Sequence, residues 1–180
     1  REAIALEAYY QSYEDKRELI TDLLFEDGGA AGSKRDGGET ATGNLAKHVS
    51  TQFRTKMDAE IETARANLET RRADGVRVAV LDADAYTHRY DFPPTALLAD
   101  ELFRRERDEG PFAVVTLTMD ELFLRCTDDV DVRTVAERAA DIEPEAGIAT
   151  ASVREGRIEF LAGARDDVRE AVVQAVTEQF

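Results

Sequence analysis

Cysteine, histidine and lysine are scarce in this chain, long apolar runs are missing, and each shortage excludes something. The single cysteine, Cys126, rules out an internal disulfide. A chain without a disulfide framework is expected in a reducing compartment, here the cytoplasm. No stretch approaches the ~20 consecutive apolar residues that a membrane-spanning helix requires. No secretory leader pattern is visible; the chain opens on Arg1 within a helical pattern, so it reads as a piece of a longer protein. The only histidines are His48 and His88, and a metal centre built on imidazoles needs two or three that converge. Without a Gly-x-Ser-x-Gly turn, a Ser-His-Asp triad is not indicated.

The shortage of lysine is the most telling. Only Lys16, Lys34, Lys47 and Lys56 are present among 23 basic residues, against 38 acidic ones, for a net charge of −15. The acids are spread along every predicted helix rather than gathered in a tail. An acid-rich surface that keeps arginine and sheds lysine is expected of a halophile. In molar salt the Debye length falls to ~3 Å and self-repulsion is screened. The charge argues against nonspecific attraction to anionic membranes. It excludes nucleic acid less firmly, because counterion release contributes little in molar salt. Binding there would rest on a few close arginine contacts and on stacking.

The periodicity predicts a helical segment over residues 1–26, with Ile4, Ala8, Tyr9, Tyr13, Ile20, Leu23 and Leu24 at helical spacing. A glycine-rich linker or loop follows over 27–43. A long connecting helix is predicted over 44–74, with a seam at Leu45, Val49, Phe53, Met57, Ile61, Ala64 and Leu68. From residue 75 to 180 the expected order is β-α-β-β-α-β-β-α. The strands are expected at 76–81, 112–117, 122–126, 147–153 and 157–161, and the helices at about 94–107, 132–142 and 165–179. Pro94 suits the start of the first of these helices, and Asp131 is a good N-cap for the second. The fold class is therefore α+β: a mixed β-sheet with helices packed on one face, behind a connecting helix and an N-terminal helical segment.

Several residues qualify for chemistry on type alone. Asp82 and Asp84 follow a strand, where a two-carboxylate magnesium site could lie, but Tyr86, Thr87 and His88 complete no ligand set. A solvated acidic turn is the better reading. Tyr9, Tyr10 and Tyr13 could stack on bases, though packing against a neighbour is the ordinary explanation. Arg104, Arg105 and Arg107 alternate with Glu101, Glu106 and Asp108 and read as an ion-paired, solvated face. Cys126 follows Arg125, whose charge could lower the thiol pKa; strand alternation turns one of the two inward, and a structural thiol is favoured. Arg125 could simply pair with Asp128 or Asp129. Its setting raises it above that, since it closes a strand ahead of the small residues Ala146-Gly147-Ile148-Ala149, where a guanidinium beside a closely approachable backbone can hold a phosphate.

Those residues also carry a resemblance. From about Asn44 onward, the chain resembles the C-terminal half of DHH-superfamily phosphoesterases, notably RecJ-like single-strand exonucleases, whose DHHA1-type domain binds substrate. The matching features are Arg71-Arg72-Ala73-Asp74-Gly75, the strand Val76–Leu81, the strand end Leu124-Arg125-Cys126 and the helix start Asp131-Val132-Arg133-Thr134-Val135-Ala136. Residues 1–26 resemble the last helices of the preceding DHH domain. The family's Gly-Gly-Gly-His and Ala-Ala-Gly segments correspond to Glu145-Ala146-Gly147-Ile148-Ala149-Thr150-Ala151, so the histidine is absent and cysteine replaces the serine after the arginine.

The resemblance implies substrate-binding roles for Arg125 and Gly147, and no catalytic or metal residue in this chain. It further implies manganese or magnesium in a catalytic domain elsewhere in the protein, and single-stranded nucleic acid as the ligand. The same family includes phosphodiesterases of oligonucleotides and cyclic dinucleotides. A non-catalytic assembly module of a replication or repair complex is the remaining alternative.

Overall fold

A computed structural model of the chain describes residues 41–85, 93–128 and 130–180. The sequence expectations for residues 1–26, for the linker up to residue 40 and for His88 lie outside those residues. The chain divides into two units, one comprising Arg1–Glu60 and Asp91–Pro93, the other Ile61–Tyr90 and Pro94–Phe180. Of the first unit, the described residues are 41–60 and Pro93; residues 41–60 belong to helix α1 (Ala41–Ala66), which begins within the expected linker. His48 sits on this helix with an exposed side chain.

The second unit is built on six strands: β1 (Glu69–Ala73), β2 (Val76–Asp82), β3 (Phe112–Leu117), β4 (Glu121–Cys126), β5 (Ala149–Ser152) and β6 (Arg157–Glu159). Three helices accompany them, α2 (Thr95–Glu106), α3 (Val132–Ile142) and α4 (Arg165–Thr177). From β2 onward the order matches the sequence expectation element for element. The strands lie in the order β1-β2-β3-β4-β6-β5. Only β2 and β3 run parallel, joined through α2, and every other neighbouring pair is antiparallel. The sheet is mixed and the class is α+β, as expected.

One element differs. The connecting helix ends at Ala66, and Glu69–Ala73 forms an edge strand instead of a last helical turn. Asp74 and Gly75 both take positive φ, 50° and 87°, which is the backbone of a two-residue hairpin turn. Asp-Gly is a strong hairpin signal, but here it follows Glu-Thr-Arg-Arg-Ala, an almost fully exposed strand without apolar alternation. With no buried face to set a period of two, the sequence looks like continuing helix.

The central strands of the sheet are buried on both faces. On one lie Val76, Val78 and Val80 of β2, Ala113, Val115 and Leu117 of β3, Leu122 and Leu124 of β4 and Ile158 of β6. They pack against Val135, Ala136 and Ala139 of α3 and Val168, Val172, Ala175 and Val176 of α4. Strand alternation sends Ala79, Leu81, Phe112, Val114, Thr116 and Phe123 to the opposite face. There α2 lies across β3 and β4, with Leu98, Ala99 and Leu102 buried. The helices are thus shared between the faces, α3 and α4 on one and α2 on the other, rather than gathered on one face. This is why β3 is buried at all six positions and reads in the sequence as a continuous apolar run.

Two capping details fix the helices that flank the site. The Asp131 carboxylate accepts a hydrogen bond from the Arg133 amide at 3.0 Å, so the expected N-cap of α3 forms. At the start of α2, the Leu98 amide donates to the Pro94 carbonyl at 2.9 Å. The Arg104–Arg105 face of α2 is ion-paired as expected. Arg104 holds Glu101 at 2.6 Å, and Arg105 holds Glu62 at 3.1 Å and Glu101 at 3.3 Å.

Candidate functional site

Alternation along β4 decides between its last two residues. Leu122, Leu124 and Cys126 turn toward the α3–α4 core, whereas Phe123 and Arg125 turn toward α2. Cys126 therefore packs against the core as a half-buried thiol. Burial and the Asp128 carboxylate push its pKa up to about 12, outweighing the lowering influence of Arg125. A reactive thiolate is not built here. The structural reading of Cys126 stands.

Arg125 is held more tightly than an ordinary surface arginine. Its Nη1 donates to the carbonyl oxygens of Leu124 at 2.9 Å and of Glu155 at 2.7 Å. Its Nε donates to the carboxylate of Asp100, on α2, at 2.5 Å. The partner is thus Asp100, not the neighbouring Asp128 that sequence proximity suggests; Asp129 lies outside the described residues. A residue 25 positions away becomes adjacent because α2 crosses β4, a relation that local spacing cannot reveal. Nη2 has no hydrogen-bond partner among the described residues. The Arg125 side chain is 19% exposed, that of Asp100 56%.

The turn from β5 to β6 completes the setting. Gly156 has φ +60° and lies so close to β4 that a Cβ would stand 2.4 Å from the Leu124 carbonyl oxygen and 2.9 Å from Arg125 Nη1. The Leu124 amide in turn donates to the Gly156 carbonyl at 2.8 Å. Only glycine allows this approach. Asp100, Glu155 and Gly156 were absent from the sequence-based site. In the sequence, the glycine of Arg154-Glu155-Gly156, between the strands expected at 147–153 and 157–161, marks a turn without saying what the turn touches.

Arg125 opens on a cleft of about 420 Å³ lined in part by Ala96, Asp100, Cys126, Asp128, Val153 and Arg154. Arg154 has no ion-pair partner among the described residues and is exposed, so it is a second cation available at this cleft. The acids Asp100, Asp128 and Glu155 stand against these two arginines.

Gly147 is not in this cleft. It caps the short 3-10 turn Pro144–Ala146 with φ 64° and ψ 34° and leads into β5. A Cβ there would meet Leu161 Cγ at 2.8 Å, so packing and a left-handed backbone account for the glycine. The register separates it from Arg125: Glu121 of β4 pairs with Glu159, which pairs with Ala149, and Gly147 lies beyond that end. Arg125 is four residues further along β4, roughly 13 Å at 3.3 Å per residue. The expected partnership of Arg125 with the small-residue loop gives way to one with the Glu155–Gly156 turn.

Asp82 resolves to a structural role. It pairs with Arg165 and accepts the Ala85 amide at 3.3 Å, so it caps the 3-10 turn Ala83–Ala85. Among the described residues no group of three or more His, Cys, Asp or Glu side chains is placed to hold a metal ion. Nor, among them, is any helix long and apolar enough to cross a membrane.

A solved structure shares the shape of this chain. That structure, described as the DHH domain of a member of a ribosomal-protein family, superposes on 98% of this chain with a TM-score of 0.75 and 18% sequence identity. This chain shares the fold of that DHH-domain structure. The chain spans 42% of the length of that structure. Neither a family model nor a curated protein matches the sequence. The mixed sheet of the second unit is consistent with the C-terminal domain of a DHH-type fold, and the Arg125 cleft is lined both from α2 and from the start of α3.

Proposed function

We propose that this chain is the substrate-holding part of a RecJ-like DHH phosphoesterase from a halophile's cytoplasm, and that it binds single-stranded nucleic acid for phosphodiester hydrolysis. The hydrolytic metal, manganese or magnesium, would belong to a catalytic domain of the same protein. The described residues offer no ligand set for it, and no chemical step is assigned to them. The observation that carries the reading is the Arg125 guanidinium. Two carbonyl oxygens fix its Nη1, Asp100 takes its Nε, Nη2 has no partner among the described residues, and the residue lines an open cleft within a DHH-type fold. A fixed guanidinium edge matches two phosphate oxygens. Arg154 supplies a second, exposed cation for a neighbouring phosphate.

The test is oligonucleotide affinity of the intact protein in molar potassium chloride, read by fluorescence anisotropy. Loss of a hydrogen bond to a charged group costs about 1.5–3 kcal/mol. At 1.4 kcal/mol per decade, Arg125→Ala should therefore weaken binding roughly 10- to 100-fold. Affinity unchanged by Arg125→Ala discards the role. A length series from dinucleotide upward distinguishes an exonuclease-type grip from a small-nucleotide site.

A further inference from the structure

We infer that Asp100 is a built-in competitor for the anion that Arg125 binds, so that substrate must exchange with a carboxylate of the protein itself. The inference rests on the phosphate-holding role proposed for Arg125 and adds the control of that site.

Three features of the geometry lead to it. First, the two partners are held unequally. Arg125 is anchored by the Leu124 and Glu155 carbonyls through Nη1, whereas Asp100 sits on an open face of α2 with more than half of its side chain exposed. One partner is fixed and the other is free to turn into solvent. Second, the contact is one-sided. Asp100 Oδ1 accepts from Nε at 2.5 Å, and Nη2 has no partner among the described residues. A guanidinium edge that could hold two oxygens is holding one. Third, the pair stands at the cleft and does not cross the core. Asp100 and Arg125 both line the cleft, together with Ala96 and Gly156.

These features sort possible ligands by chemistry. Chloride or a singly engaged carboxylate offers Arg125 no more than Asp100 already does. Asp100 also acts from a high effective concentration because it is tethered. A phosphodiester presents two non-bridging oxygens and can occupy Nε and Nη2 together. Asp100 thus sets a threshold that only a bidentate oxyanion crosses, which makes it a specificity-determining residue. Released, its carboxylate turns outward on α2 without leaving a buried charge behind.

The experiment compares the intact protein with Asp100→Asn, Arg125→Ala and the double variant. The probes are a labelled single-stranded oligonucleotide in anisotropy and inorganic phosphate in NMR titration of the Arg125 Nε–Hε signal. Removal of the competing charge should tighten oligonucleotide binding about tenfold, with phosphate shifting the Arg125 signal at correspondingly lower concentration. The gain should vanish when Arg125 is also replaced, and the melting temperature should move little for so exposed a carboxylate. Affinity that stays level or falls in Asp100→Asn, while Arg125→Ala still weakens binding, overturns the competitor role and leaves the phosphate grip standing. Unaltered affinity in Arg125→Ala overturns the grip itself, and the competitor role with it. A lowered melting temperature without any affinity gain marks Asp100 as a structural tie and overturns the inference.

Discussion

Replacing Gly156 by alanine should damage the fold and the cleft together, because one small residue keeps the β5–β6 turn against β4. The new Cβ would lie 2.4 Å from the Leu124 carbonyl oxygen, which is backbone and cannot swing away. The residue must also keep φ near +60°, a left-handed conformation that costs an L-residue about 1–2 kcal/mol. Relieving the clash moves the turn away from β4. That movement stretches the hydrogen bond from the Leu124 amide to the Gly156 carbonyl and the one from Arg125 Nη1 to the Glu155 carbonyl. The first is worth about 0.5–1.5 kcal/mol and the second, being charged, about 1.5–3. The combined loss is roughly 3–5 kcal/mol if one of the two bonds survives in part. That is a large share of the ~5–15 kcal/mol that stabilises an ordinary domain.

Urea denaturation followed by circular dichroism measures this loss directly, with a fall in melting temperature of about 10 °C as its thermal counterpart. Gly163→Ala is the control. A Cβ at Gly163 meets nothing within 4 Å and the residue has no positive φ, so its stability should stay within about 0.5 kcal/mol of the parent. A Gly156→Ala protein that loses less than about 1 kcal/mol would refute the argument, since the Leu124 contact could not then be as close as the structure has it.

Two further outcomes follow from the geometry. Cys126, with its pKa pushed up to about 12 by burial, should alkylate with iodoacetamide at pH 8 roughly a thousandfold more slowly than an exposed cysteine of pKa ~8.5. Its rate should recover on denaturation, and brisk labelling of the folded protein would contradict its place against the α3–α4 core. Asp131→Ala removes the side chain that accepts the Arg133 amide at the start of α3. It should cost about 1 kcal/mol in chemical denaturation, with Asp131→Asn retaining most of the stability; equal losses in both variants would deny the capping role.

Residues whose burial pattern follows their own sequence neighbours were legible in advance. The continuous apolar run of β3, the seam Val168, Val172, Ala175 and Val176 on α4, the cap at Asp131 and the strand–helix order from β2 to α4 all belong to this kind. Each arises from interactions within a few residues or from a repeat that a face of sheet or helix imposes. The edge strand β1 escaped this logic because neither of its faces is buried. The two-sided covering of the sheet escaped it as well, since an apolar run shows that both faces of a strand are buried but not which helix covers each.

The site divides along the same line. Sequence alone singled out Arg125 by its place at a strand end, the resemblance added Gly147, and strand position marked Cys126 as structural. Only the tertiary structure decided their company. Sheet register carried Gly147 to the far end from Arg125, strand alternation turned Arg125 away from Cys126, and the crossing of α2 over β4 brought Asp100 onto the guanidinium. These are relations between strands and helices distant in sequence. They are set by how faces pack, and a one-residue shift in pairing would have reversed them without altering a single local propensity.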